Sequence, residues 1–292
     1  MHISRRDFCV AGASFAIAGP ASAQILRPLP QSNVLRPLSS IATPIGTQAT
    51  ADASYSQYQS TLVGGMTPKY ASWLGQKWTA CTGSTWNSGM DYCWRISRTK
   101  SRFELRDTPK DRGGNDPSSK RRAEIHDKQH FLQNGREYWG AVTFLDSSWS
   151  DPAAMKAQGT GGSHMQMHMP NGGSPVFAFR RFGDGQWGIT TNPGGNIKRF
   201  RTVLSFDTPH DVVYRIVPHP SSGQLDVWVD GRQVLSFRGA LGGSESGYYP
   251  CYGLYYGGGV ACPIVGQIAN IAHPSATSLK SRITSRPAWP SA

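Results

Sequence analysis

The chain has 292 residues, with 30 Lys and Arg against 18 Asp and Glu, and a formal net charge of +12 at pH 7. Gly (33), Pro (20) and aromatic residues (Trp 9, Tyr 11, Phe 11) are plentiful, and long Leu/Ala/Glu-rich stretches are absent, which argues against a helical bundle and for many short strands joined by turns. The positive excess draws anionic partners, but charge alone does not choose among nucleic acid, lipid and acidic glycan.

The N-terminus chooses a compartment. Ser4-Arg5-Arg6-Asp7-Phe8 precedes an apolar run from Cys9 to Ala18, which closes at Ala21-Ser22-Ala23 before Gln24. A charged start, a short apolar core and a small-x-small cleavage site make residues 1–23 an export signal, and the adjacent arginines point to the twin-arginine route. No later segment approaches the roughly 20 apolar residues that cross a bilayer. The mature protein is therefore expected near Gln24 onward, periplasmic or secreted, without a membrane span. It would meet no intracellular nucleic acid and act as a monomer. Cys9 leaves with the signal, and Cys81, Cys93, Cys251 and Cys262 remain. Four cysteines allow three pairings, and an oxidising compartment makes pairing the default. Cys81–Cys93 and Cys251–Cys262 are the expected disulfides, each stapling a short Gly-containing loop. No CxxC pair supports zinc.

Residues 24–54 are rich in Pro, Ser, Ala and Thr and read as a linker or arm. The folded domain is expected over 55–274, irregular to Met90, with coil over 275–292. The strand signal covers residues 92–98, 102–107, 121–127, 138–145, 163–169, 175–181, 211–218, 224–230, 232–237 and 251–256. Asp230-Gly231 between Leu225-Asp226-Val227-Trp228-Val229 and Gln233-Val234-Leu235 is a tight-hairpin signal. Gly183-Asp184-Gly185 and Ser221-Ser222-Gly223 mark further turns. Strands in this number, without intervening helical patterns, argue for an all-β fold: a jelly-roll-like sandwich of two antiparallel sheets.

Period two then sorts the side chains, because residues i, i+2 and i+4 of a strand share a face. In His164-Met165-Gln166-Met167-His168-Met169 the methionines face a core, and His164, Gln166 and His168 share the open face. In Arg122-Ala123-Glu124-Ile125-His126 the polar face holds Arg122, Glu124 and His126. Arg102-Phe103-Glu104-Leu105-Arg106 repeats the device with Arg102, Glu104 and Arg106. Any solvated sheet face alternates in this way; three strands with the same mixture, two carrying His, point to a site. Arg offers carboxylate a bidentate fork. In Tyr248-Tyr249-Pro250-Cys251-Tyr252-Gly253-Leu254-Tyr255-Tyr256, Tyr249, Cys251, Gly253 and Tyr255 share a face. Aromatic faces stack on sugars, and a tyrosine near arginine can move a proton.

Arg122-Ala123-Glu124, Gln166-Met167-His168, Gly223-Gln224-Leu225-Asp226-Val227-Trp228-Val229-Asp230-Gly231 and Tyr252-Gly253-Leu254-Tyr255 follow one another in this order. The set resembles the R-x-E, Q-x-H, G-x-L-x-V-W-x-D-G and G-[IL]-Y stretches of the polysaccharide lyases that include glucuronan lyase and heparin lyase I, over about residues 92–256. The resemblance implies a β-jelly roll with a groove on its concave sheet, and elimination at a uronic acid. Arg122 and Gln166 would hold the substrate carboxylate. His168 would be a base or charge stabiliser, and Tyr255 the base or the acid that protonates the leaving oxygen. Arg102, Glu104, Arg106, Glu124, His126, His164, Arg180 and Tyr249 would line the substrate. Two positions that are often Lys and Arg in the family are Cys251 and Tyr256 here, with His164 and Arg180 nearby as compensating groups. The expected partner is an anionic polysaccharide. No catalytic metal or cofactor is required, while a structural calcium bound by Asp and carbonyl oxygens would leave little sequence trace. Two rival readings are a non-catalytic acidic-glycan-binding sandwich and a glycoside hydrolase, the latter needing paired carboxylates from Glu104, Glu124 and Asp226.

Overall fold

Leu225, Val227 and Val229 alternate with Asp226 and Trp228, and such alternation gives a strand one face to bury. The computed structural model describes residues 57–60, 70–82, 92–106, 120–147, 162–170, 174–192, 197–244, 247–257 and 264–291. Its strands in chain order are β1 (Gln59–Ser60), β2 (Tyr70–Trp73), β3 (Gln76–Thr82), β4 (Trp94–Ile96), β5 (Lys100–Leu105), β6 (Lys120–His126), β7 (Tyr138–Asp146) and β8 (Gly162–His168). There follow β9 (Phe177–Arg181), β10 (Trp187–Thr191), β11 (Ile197–Thr202), β12 (His210–Val217), β13 (His219–Val229), β14 (Arg232–Leu241), β15 (Tyr249–Gly257) and β16 (Ile264–Ser275).

These strands form two antiparallel sheets. One has the order β1-β4-β5-β16-β7-β12-β13-β14, the other β11-β10-β9-β8-β15-β6-β3-β2. Half of the neighbouring pairs are consecutive strands; the rest, among them β5-β16, β16-β7, β7-β12, β8-β15 and β15-β6, join distant parts of the chain, as the crossovers of a jelly roll require. The facing sides interlock. Phe103, Phe144, Tyr214, Leu225 and Val227 come from the first sheet. Trp78, Ile125, Met165, Met167, Phe177 and Tyr252 come from the second, and all belong to one buried cluster. Phe177 meets Tyr214 edge-on at 5.2 Å between ring centroids, and Phe144 meets Trp187 at 4.5 Å. Each such side chain contributes about 1.5–3 kcal/mol by leaving water.

The two-sheet sandwich and the Asp230-Gly231 hairpin are as expected. Asp230 (φ 51°) and Gly231 (φ 80°) are both left-handed, as a type I′ turn requires. Six strands went unread: β1, β2, β3, β10, β11 and β16. The central β16 was hidden because register shifts between Ala269 and Ala272 and again before Ser275, with Asn270 at φ 51°, break its alternation. The tail is not all coil. A short helix, α1 (Lys280–Thr284), follows β16, and its Arg282 binds Asp211 of β12 at 2.6 Å. Leu279 and Ile283 pack beside the stacked Trp139 and Trp228 on the outer face of the first sheet. The expected export signal and linker lie outside the described residues.

Candidate functional site

The middle of the second sheet carries the polar face. Strand β15 runs between β6 and β8, and β9 flanks β8. Ala123, Ile125, Tyr252, Leu254, Met165 and Met167 point to the core and are fully or almost fully buried. The opposite face is ordered in levels along β15. Tyr255 lies opposite Arg122 and Ser163, Cys251 opposite His126 and Gln166, and Tyr249 opposite His168.

At the first level Tyr255 is set among cations. The Arg122 guanidinium stacks 4.3 Å from the Tyr255 ring centroid. Arg180, opposite Ser163 on β9, donates from Nε to Thr190 Oγ1 at 2.8 Å. Burial pulls the Arg180 guanidinium below its ordinary value, against the opposing pull of Tyr255 and Glu124 beside it. Between the first and second levels, Gln166 Nε2 donates to Glu124 Oε1 at 2.8 Å, and Arg122 lies 3.6 Å from Glu124 Oε2. Gly253, opposite Glu124, offers no side chain to obstruct that bond.

The far level is aromatic and basic. His126, His168 and Tyr249 group together, with centroids 5.3–6.4 Å apart, and Lys128 Nζ stands 5.3 Å from the Tyr249 ring. His168 Nδ1 is 2.6 Å from the Met169 carbonyl. A carbonyl only accepts, so Nδ1 carries a proton and donates it there. His126 is held neutral: burial, then Arg122, His168 and Lys128, push it well below the usual histidine range. His168 and Tyr255 are not side by side. Ser163, the β8 partner of Tyr255, is five residues from His168, which sets their backbones about 15 Å apart at roughly 3.3 Å per residue once the bulge at His164 is allowed for.

The structure thus gathers Arg122, Glu124, His126, Gln166, His168, Arg180, Tyr249 and Tyr255 on one face. It moves the other expected site residues elsewhere. On β8 the register with β9 shifts between Ser163 and Met165, so Ser163 takes the groove face and His164 turns inward. There His164 lies 3.4 Å from Asp146 and contacts Trp187 and Tyr256, while Arg181 binds Asp146 at 2.8 Å. Burial lowers the His164 pKa to about 4, with Asp146 opposing and Arg181 assisting. Arg102, Glu104 and Arg106 belong to β5 and the residue after it, in the other sheet. Phe103 points between the sheets toward Gly253, so the alternating Arg102 and Glu104 point outward and pair with each other at 2.7 Å. Arg106 pairs with Glu104 and stacks on Tyr92 at 3.9 Å.

Of the three carboxylates weighed for hydrolysis, Glu124 alone lies in the groove. Glu104 is on the outer face of the first sheet, and Asp226 bridges Arg215 and Arg238 there. Cys251 is buried on the groove floor, whereas Tyr256 faces the core and its hydroxyl lies 3.3 Å from His164. No disulfide forms among the described residues. The Cys81 side chain and Cys262 lie outside them, and with them both expected pairings. Lys128 and Ser163 were missed. Lys128 continues the 122, 124, 126 alternation by one step and was legible; Ser163 depends on the bulge.

A family model described as "Polysaccharide lyase" matches residues 88–270. Among solved structures, the endo-β-1,4-glucuronan lyase from the fungus Trichoderma reesei is similar with TM-score 0.47 and 14% identity, covering 75% of this chain and 94% of that one. The alginate lyase A1-II′ of polysaccharide lyase family 7 gives 0.47 and 14%, covering 67% and 94%. Alginate lyase AlyC3 gives 0.44 and 12%, covering 64% and 80%. No curated protein matches by sequence. The family match spans well over half of the 292 residues and every strand of the polar face, and the chain belongs to the polysaccharide lyase family.

Proposed function

We propose that the chain cleaves a uronic-acid polysaccharide by β-elimination. The observation that carries this reading is the placement of Tyr255 among Arg122, Arg180 and the Glu124–Gln166 pair. The C5 proton of a uronate is poorly acidic while its carboxylate is ionised. Arg122, Arg180 and Gln166 offer donors to that carboxylate, so charge flowing onto it in the transition state meets preorganised partners. The ionised Tyr255 oxygen takes the C5 proton, and the C5–H electron pair becomes the C4=C5 double bond. The C4–O bond breaks with its pair on the leaving oxygen, which Tyr255 then protonates. The products are a shortened chain and an unsaturated uronate.

His168, some 15 Å along the strand by backbone spacing, meets the bound chain away from the bond that breaks. With Tyr249, His126 and Lys128 it binds rather than performs the proton transfer. This reading needs no cofactor, and every group named comes from one chain.

The test is incubation with glucuronan, alginate and glycosaminoglycans, following the ultraviolet absorbance of the unsaturated uronate. A rise on a polyuronate is expected; a folded protein that raises none of them sinks the reading. We infer, too, that residues 1–23 direct export. The exported protein should then begin at Gln24 by N-terminal sequencing, and recovery with Met1 in place would refute this.

A further inference from the structure

Just past His126 the chain turns a carboxylate away from the groove, and two histidines converge on it from different elements. His130, in the connection to β7, places Nδ1 2.8 Å from Asp127 Oδ2. His273, near the end of β16 in the opposite sheet, places Nδ1 2.5 Å from the same oxygen. The two rings stack at 4.5 Å with 16° between their planes. The three donor atoms lie within 4.8 Å of one another. Asp127 is fully buried, while the His130 and His273 side chains are 37% and 22% exposed, so the cluster opens to solvent on one side.

We propose that Asp127, His130 and His273 form a structural site for a divalent transition ion of the zinc class. Both imidazoles present Nδ1 to one carboxylate oxygen, and a neutral imidazole can turn an Nδ1 lone pair to a metal. Two imidazoles and a carboxylate are the donors that zinc takes, with water at the open side as the fourth ligand. Calcium and magnesium prefer shells of oxygen and are disfavoured here. Metal–ligand bonds of about 2.0–2.2 Å set tetrahedral donors roughly 3.3 Å apart. The two pairs, at 2.8 and 2.5 Å, therefore open by about 0.5 to 0.8 Å to admit the ion.

His273 comes from β16 of the first sheet, and Asp127 and His130 from the connection that leaves β6 of the second sheet for β7. That loop holds Phe131 against Tyr249 edge-on at 6.1 Å and Lys128 over the same ring. Trp78 packs beside His273 at 5.2 Å. A bound ion would rivet the two sheets together at this rim and set the end wall of the groove. The site is independent of the lyase chemistry.

The experiment is zinc titration of the chelator-stripped full chain by calorimetry, with metal content by mass spectrometry and melting by circular dichroism. One equivalent of zinc should bind and raise the midpoint by several degrees. His130→Asn and His273→Asn should each abolish both effects, and calcium should reproduce neither. Absence of zinc uptake, or uptake unchanged in both variants, would overturn the site. An equal midpoint shift with calcium would overturn the ion class. His130 lies in a partly exposed loop, so its variant reads the site even if His273→Asn does not fold.

Discussion

Gln166 donates to Glu124 across the strand that separates them, at 2.8 Å, over a glycine. The same carboxylate faces Arg122 at 3.6 Å, so Glu124 orients two of the three residues proposed to hold the substrate carboxylate. Glu124→Gln keeps the shape and removes the charge that aims them. We expect kcat/KM to fall roughly 10- to 100-fold, since each tenfold is about 1.4 kcal/mol and a charge-assisted bond contributes about that or more. Initial rates on the cleaved polyuronate check this. A variant with wild-type kcat/KM and only a lowered melting temperature would reduce Glu124 to a structural part.

Gly253 makes that crossing possible. Its φ is +124°, and a Cβ there would sit 2.3 Å from the Ala123 carbonyl and 2.8 Å from Glu124 Cα. Both contacts are backbone, so no side-chain rotation relieves them. Gly253→Ala should cost about 1–3 kcal/mol of stability from backbone strain alone, read by urea denaturation. Activity should fall as well, because the strain displaces Glu124. Unchanged stability would mean that β15 accommodates a Cβ at this position at no cost.

The distance between Tyr255 and His168 predicts a division of labour. If proton transfer belongs to Tyr255, then Tyr255→Phe removes turnover, by about 10²-fold or more, while oligosaccharide binding persists. His168→Ala should act mainly on KM, because its level of the groove grips the polymer away from the reacting uronate. Steady-state kinetics on the same polymer separates the two. Loss of kcat in His168→Ala with KM unchanged would transfer the base to the imidazole.

How far these residues were legible depends on what the strands do locally. Arg122, Glu124 and His126 could be grouped from alternation because β6 is regular. The same alternation put His164 beside Gln166, and one bulged residue reversed its side. Arg102 and Glu104 copy the Arg122 and Glu124 pattern, yet a pattern does not say which sheet a strand joins. That is settled by long-range pairing, in which β5 finds β16 and β6 finds β15. The Asp127–His273 contact, joining residues 146 apart in sequence, was illegible for the same reason. Asp230-Gly231, whose turn is decided by two adjacent residues, was read without difficulty.

The inward turn of His164 gives the fold a pH dependence. Its imidazole titrates near 6.5 when unfolded and at about 4 in the buried cluster with Asp146 and Arg181. Between those values the unfolded chain binds a proton that the folded chain refuses, so stability rises with pH across this window. The contribution is complete above pH 6.5, declines as pH falls, and is gone below about 4, for a total near 3 kcal/mol at about 1.4 kcal/mol per unit. His126, depressed chiefly by burial as well, adds in the same direction. Asp127 does not interfere in this range. Its hydrogen bonds with His273 and His130 outweigh burial and hold its carboxyl at about 2, so its contribution is lost only below about pH 4, outside the window. Urea unfolding of the wild type should therefore give a lower free energy at pH 5 than at pH 7. His164→Gln cannot be protonated and should show a shallower slope over the same interval, whatever its absolute stability. An identical slope in the variant would mean that His164 does not titrate between the folded and unfolded states, and would leave His126 as the source of the dependence.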